Sequence, residues 1–148
     1  MFTRDFNPWK NIDEFDPAQF ADKSSELLQW PIKLWKAPIV SPYYHHAHLM
    51  IAADCSAFSY ANFHNAYTKG KVTLICCMDT DFDVMTKLSQ ILSNNSVKSV
   101  TVVKTDKNCC TDLSVAVMQA VKSSRLPVPV QVSTIFIDAE DLTEEDAF

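Results

Sequence analysis

Five cysteines follow three separate apolar runs of this 148-residue chain. They are Cys55, Cys76, Cys77, Cys109 and Cys110, and they end or follow the runs 49–53, 72–76 and 97–103. An aspartate lies beside each group, at Asp54, Asp79 and Asp106. Several thiolates in one crevice bind Zn²⁺ or an iron–sulfur cluster well, because a cation relieves the repulsion between them. The pattern predicts a metal or cluster site if the fold brings the ends of these runs together.

The proposed ligands are one or two thiols from each group. Side chains alternate along a strand, so Cys76 and Cys77 are expected to point in opposite directions, and Cys77 is nearer the strand end. Backbone N–H groups at the start of the following helix are expected to lower the pKa of Cys109 and Cys110. The predicted ligands are Cys55, Cys77, Cys109 and Cys110. The alternative is that each thiol is a small apolar core residue.

Histidines fall into two groups with different prospects. His64 lies in the connection that leaves Cys55, so it could reach the thiolates as a ligand or as an N–H donor to sulfur. His45, His46 and His48 precede the first apolar run and are expected at the opposite edge of a sheet, in a solvated loop.

The elements that must position these side chains are strands and helices in alternation. Continuous apolar runs at 49–53, 72–76, 97–103 and 128–137 predict strands that are buried on both faces, and 32–34 suggests a short further strand. Helical spacing runs from Phe82 to Leu92 and from Leu113 to Val121, with a shorter helix expected within 59–69. The pattern predicts a single three-layer α/β domain with a mostly parallel sheet of four or five strands and flanking helices. The carboxyl ends of its strands would lie together, where such sheets bind ligands.

The chain divides into an arm and a domain. Residues 1–29 are rich in aromatic residues and are expected to form an extended N-terminal arm that wraps the domain or contacts a partner. Residues 30–148 form the α/β domain with its cysteine-rich site and an acidic C-terminal tail.

Composition excludes several functions. A net charge of −5 argues against nucleic acid or an anionic membrane as the partner. The single glycine, Gly70, rules out the GxGxxG, Walker A and GxSxG motifs, which need at least two. No apolar run reaches the length of a membrane span, and the odd number of cysteines suggests reduced thiols in the cytoplasm.

Several segments together resemble one protein family in order and spacing. They are WPIKL at 30–34, AADC at 52–55, NFH at 62–64, GKVTLI at 70–75 and SVTVV at 99–103 with the pair Cys109-Cys110. They resemble the C-terminal domain of 4Fe–4S ferredoxin-like iron–sulfur proteins of anaerobic bacteria, here without the ferredoxin module, from about Trp30 to Asp138. The stretch CCMDTD at 76–81 lacks the glycine and proline that the family has there. The resemblance implies redox metabolism and favours an iron–sulfur cluster over zinc.

The expected function is therefore metal or iron–sulfur cluster binding, accessory to electron transfer or cluster handling with a protein redox partner. The chain is not expected to be an enzyme on its own, because no Cys–His pair has an arguable substrate pocket. The alternative is a non-catalytic interaction module, or a dimer that associates through the N-terminal arm, in which the cysteines are structural.

Overall fold

The computed structural model describes residues 25–143 and residue 145, and it contains one sheet of four parallel strands. The strands are β1 (His48–Ala53), β2 (Val72–Cys76), β3 (Ser99–Thr105) and β4 (Val130–Ile135). Their order across the sheet is β2-β1-β3-β4. The predicted α/β architecture with a parallel sheet is confirmed.

Two helices pack against one face of the sheet. Helix α1 (Val84–Asn94) and helix α2 (Leu113–Ser124) bury the apolar stripes that their sequence spacing predicts. Helix α1 begins later than the spacing suggested, because the Asp83 side chain accepts the backbone N–H of Thr86 and so caps the first turn. Phe82 stays outside the helix and is exposed.

Side chains of alternating strand positions form two cores. Leu49, Ile51 and Ala53 of β1 join the core beneath the helices, whereas Met50 and Ala52 face the other side. This alternation is what a strand buried on both faces requires.

Short helical segments cover the second face. The predicted helix within 59–69 is replaced by a 3₁₀ segment, Ser56–Ser59, and a π-helical segment, His64–Thr68. Phe63 and Tyr67 pack here against the smaller core, so the region is helical but too short for an α-helix.

The short strand expected at 32–34 is reduced to one parallel bridge, Lys33 to Ile75, beside β2. Trp35 and Pro38 follow at once, and the chain turns away before a second bridge forms. Of the arm predicted at 1–29, residues 1–24 lie outside the described residues. No described helix is long and apolar enough to cross a membrane.

The strand order fixes where a ligand site can form. After β1 the chain crosses to β2 on one side, and it then returns past β1 to β3 on the other side. The connections leaving β1 and β3 therefore diverge at the carboxyl ends of two neighbouring strands. Open parallel sheets bind their ligands in the crevice at such a switch point.

Candidate metal site at the carboxyl ends of the strands

All five cysteines border one small cavity at this switch point. We call it the thiol crevice, and its lining is Ala53, Asp54, Cys55, Cys76, Cys77, Met78, Cys109, Cys110 and Leu113. The enclosed volume is about 10 Å³, close to the ~10–15 Å³ that one water-sized sphere needs. Residues more than fifty positions apart in the sequence thus share a space that suits one small ion.

Cys55 lies in the crevice because it follows the end of β1. The backbone N–H of Asp54 donates to the carbonyl of Cys76 at 3.0 Å, which fastens the end of β1 to the end of β2. Ser56 is fully buried, and its hydroxyl donates to the carbonyl of Ala53 at 2.6 Å. These bonds begin the turn at Cys55 and leave its side chain exposed.

The end of β2 supplies two lining residues where alternation predicted one. Cys76 is 2% exposed and belongs to the core beneath the helices, yet it borders the crevice together with Cys77. Strand β2 ends at Cys76, so the alternation of side chains need not extend to Cys77. Asp81 holds the turn, accepting the N–H of Cys77 at 2.8 Å and donating its own N–H to the carbonyl of Cys77.

The end of β3 holds Cys110 through a threonine. The Thr105 hydroxyl donates to the sulfur of Cys110 at 3.1 Å and accepts the N–H of Lys107 at 3.3 Å. Thr105 is 1% exposed, so this hydrogen bond is shielded from water. Thr105 was not predicted as part of the site, because it carries neither sulfur nor imidazole. Its position at the end of a valine-rich run could have indicated that it lies beside the thiols.

The thiols influence one another's ionisation, because Cys55, Cys109 and Cys110 line the same crevice. Burial, followed by the charges of Cys110, Cys109 and Asp54, raises the pKa of Cys55 to about 11. Burial is also the main cause that raises the pKa of Cys76 to about 12. Near neutral pH these two thiols are protonated.

The expected lowering of the pKa at Cys109 does not occur. Residues Asn108–Cys110 form a 3₁₀ turn that precedes α2, so Cys109 is not within the first turn of the helix. Desolvation, followed by the neighbouring Cys110, raises the pKa of Cys109. Burial and the neighbouring thiol therefore shift this pKa in the direction opposite to the predicted one.

The thiols do not yet form a finished coordination sphere. Among the described residues, no group of three or more His, Cys, Asp or Glu side chains is arranged to hold a metal ion. All five cysteines are free thiols. All five thiols lie in the walls of the crevice.

The histidines lie elsewhere. His64 does not line the crevice, because its segment covers the second face of the sheet, where its ring contacts Phe63 edge-on with centroids 6.1 Å apart. The structure therefore gives no support for His64 as a ligand or sulfur donor. His45, His46 and His48 line a separate cavity of about 350 Å³ at the amino ends of the strands, the edge that the sequence predicted.

Comparison with known proteins gives one finding. A family model described as a Rossmann-like domain matches residues 41–148, which includes all four strands, both helices and the thiol crevice. No curated protein and no solved structure matches the chain.

Proposed function

This chain belongs to the Rossmann-like domain family, and we propose that its thiol crevice binds one thiophilic metal ion, with Zn²⁺ as the leading candidate. The observation that carries the proposal is the convergence of all five cysteines, from three separate connections, on one small cavity. Membership of the family by itself implies the fold and no ligand.

The chemistry of the donors fits a soft or borderline cation. Thiolates select Zn²⁺, Cu⁺ and iron–sulfur clusters over hard cations such as Mg²⁺. Burial and then the neighbouring Cys110 raise the pKa of Cys55 in the free protein. The neighbouring sulfur favours an ion, because a bound cation turns repulsion between sulfurs into attraction. Cys55 and Cys110 would be the first ligands, and rotation of the Cys109 and Cys77 side chains would complete a tetrahedral set.

The size of the crevice favours one ion over a four-iron cluster. Its volume of about 10 Å³ is that of one water-sized sphere, and one of its walls is the buried Leu113. The resemblance to ferredoxin-like proteins supports the competing proposal of an iron–sulfur cluster, with electron transfer or cluster handling as its role. Both versions use Cys55, Cys77, Cys109 and Cys110.

A nucleotide is a poorer fit to this fold in this chain. Family members that bind dinucleotides need glycines in the turn after the first strand. Here that turn reads Asp54-Cys55-Ser56, and the single glycine, Gly70, lies before β2 at the opposite edge.

Metal analysis tests the proposal directly. The full chain is purified without oxygen, its metal content is measured, and the metal-free form is titrated with Zn²⁺ against a chromophoric chelator. We expect one Zn²⁺ per chain, and Co²⁺ should give the visible absorption of a tetrahedral thiolate site. A brown protein that contains iron and sulfide would establish the cluster instead. Protein that binds none of these metals would overturn both versions.

A second candidate, a non-catalytic interaction module, has one specific observation in its favour. Phe58, Phe82 and Phe136 follow three different strands and are 95%, 82% and 78% exposed. Exposed aromatic side chains are frequent at protein interfaces. Metal-free wild type and the Cys55→Ser, Cys110→Ser double variant should have equal stability and equal binding to any partner if this candidate is right.

A further inference from the structure

We infer that the metal-free crevice is also a redox-active site, in which Cys55 and Cys110 form a disulfide when a low-molecular-weight disulfide oxidises the protein. The disulfide would close the metal site, and this consequence rests on the proposed function. The formation of the disulfide itself does not depend on metal binding.

The two thiols differ in access and line the same small crevice. Cys55 is exposed, whereas Cys110 is 3% exposed, and both border a cavity of about 10 Å³. A reagent in solvent therefore reaches Cys55, and the buried Cys110 lies in the wall of the same crevice. This is the arrangement of an attacking thiol and a resolving thiol.

Geometry selects Cys55 over Cys109 as the partner of Cys110. Neighbouring residues have Cα atoms about 3.8 Å apart, which is shorter than the ~4.4–6.8 Å that a relaxed disulfide spans. Cys55 lies on a different connection and carries no such restriction. A link between the neighbours Cys109 and Cys110 would therefore be strained.

Thr105 orients the resolving sulfur. Its buried hydroxyl donates to Cys110 at 3.1 Å, so a lone pair of that sulfur is already directed at a hydrogen-bond donor. A thiolate that forms at Cys110 during exchange would keep this bond, because O–H donors stabilise negative sulfur.

The exchange balances with glutathione disulfide as the oxidant. The Cys55 thiolate attacks one sulfur of glutathione disulfide, forms a mixed disulfide and releases one glutathione thiolate, which takes up the proton that Cys55 lost. The Cys110 thiolate then attacks the sulfur of Cys55 and releases the second glutathione in the same way. The protein loses two hydrogens in total, and one glutathione disulfide is reduced to two glutathione molecules.

Trypsin separates the three cysteine groups, which makes the link easy to map. Cleavage at lysines places Cys55 in 37–69, Cys76 and Cys77 in 72–87, and Cys109 and Cys110 in 108–122. Metal-free full-length protein is incubated with glutathione disulfide, alkylated, digested without reductant and examined by mass spectrometry. We expect loss of two thiols per chain and a cross-link between 37–69 and 108–122.

Single variants identify the sulfur in the second peptide. Cys109→Ser should form the cross-link as the wild type does, whereas Cys110→Ser should retain glutathione on Cys55. Both replace one cysteine of the same turn, so they are matched controls. A cross-link that persists in Cys110→Ser, or wild-type protein that stops at the mixed disulfide, would overturn the inference.

The inference and the proposed function fail separately. If Zn²⁺ binds as proposed, zinc-loaded protein should resist the oxidation and oxidised protein should bind at least about 100-fold less zinc, since two thiolate ligands are lost. A cross-link with no zinc binding by reduced protein would support the disulfide and overturn the metal proposal. Zinc binding by reduced protein without a cross-link after oxidation would support the metal proposal and overturn the disulfide.

Discussion

The two edges of the sheet carry different side chains. We define the carboxyl rim as residues 54–59, 77–83, 106–112 and 136–141, and the amino rim as residues 45–48, 69–71, 95–98 and 122–129. The carboxyl rim holds four of the five thiols, with Cys76 at its border, and many acids: Asp54, Asp79, Asp81, Asp83, Asp106, Asp112, Asp138, Glu140 and Asp141. The amino rim has no acid and carries His45, His46, His48, Lys69, Lys71, Lys98, Lys122 and Arg125.

Helix direction explains part of this separation. Both helices begin at the carboxyl rim and end at the amino rim, so the positive ends of their dipoles face the acids. Asp83 and Asp112 lie at the two helix starts, and Lys122 and Arg125 at the end of α2. The helix dipoles do not explain the acids that lie farther from the helix starts, such as Asp54 and Asp79. These carboxylates would attract cations toward the thiols.

The rims also show that cavity size does not identify a site. The amino rim has the larger cavity, about 350 Å³, but its lining mixes imidazoles with apolar residues and no thiol. The smaller thiol crevice collects one kind of reactive group from three connections. Convergence of chemistry, rather than volume, makes the carboxyl rim the candidate.

The largest expected difference between the rims is in metal affinity. Replacing Cys55 and Cys110 together by serine should weaken zinc binding by more than about 100-fold, because even partners outside the first ligand shell are worth about 10- to 100-fold. The matched amino-rim variant, His45→Ala with His48→Ala, should leave the affinity unchanged. Chelator competition measures both, and a greater loss in the histidine variant would reverse the assignment of the rims.

Stability, in contrast, should depend on both rims. Leu113→Ala beside the thiols should lower the free energy of unfolding by about 2–5 kcal/mol, because a buried leucine leaves a cavity. Val72→Ala, at the start of β2 beside the amino rim, should cost about 1.5 kcal/mol for two lost methyl groups. Both residues belong to the core beneath the helices. Urea denaturation measures the two, and an unchanged midpoint in either would show that this core does not extend from rim to rim.

Dependence on pH should sharpen the comparison further. The pKa of Cys55 is raised to about 11, so zinc must displace its proton at every lower pH. Affinity should rise by about 10-fold per pH unit for each thiol proton released. Isothermal titration in buffers of different ionisation enthalpy counts those protons. An affinity that levels off above about pH 7, where free imidazole is already neutral, would indicate histidine ligands.

Thr105 should have a smaller effect, confined to the carboxyl rim. Thr105→Val removes the hydrogen bond to Cys110 at almost constant volume, and it should weaken zinc binding by about 10- to 100-fold. Thr105→Ser keeps the hydroxyl and should restore the affinity. The Co²⁺ absorption should shift in the valine variant only, and equal affinities in all three proteins would remove Thr105 from the site.

The smallest effect is expected near the amino rim, at Tyr44. Its buried hydroxyl donates to the carbonyl of Pro38 at 2.8 Å, so Tyr44→Phe should cost about 1 kcal/mol near neutral pH. Burial raises the pKa of Tyr44, so the neutral form stabilises the fold below the unfolded pKa of about 10 and this contribution is lost as the pH rises through the folded pKa. Thermal melts of both proteins at alkaline pH should converge, and a constant difference would mean that Tyr44 does not titrate with unfolding.

The sequence predicted the fold more completely than the details of the site. Continuous apolar runs located the four strands to within two residues at most ends, because burial on both faces leaves a strong signal. The end of α1 depends instead on a tertiary contact: Asn95 is extended, and its side-chain amide donates to the carbonyls of Ile91 and Ile39. Such long-range contacts have no periodic signature in a sequence.

The sequence predicted that the cysteines would lie together, but it did not predict which side chains would line the crevice. Parallel strands share their carboxyl ends, so the grouping of Cys55, Cys77 and Cys110 follows from topology. The inclusion of Cys76 depends on where β2 ends, and the exclusion of His64 depends on which face a five-residue segment covers. The raised pKa values depend on distances between sulfurs that no spacing rule supplies.

The two outermost strands have unequal protection along their free sides. Backbone hydrogen bonds cover the outer side of β2 at Ile75, which donates its N–H to the carbonyl of Ile32 and accepts the N–H of Leu34. The Gln29 side chain accepts the N–H of Thr73 on the same side. Among the described residues no strand pairs with the outer side of β4, and Val130–Ile135 contains no charged residue that would repel an incoming chain. An uncharged strand with unpaired amides and carbonyls is a template for adding a further strand. Within the described part of the chain, the outer side of β4 is therefore where a further strand could be added.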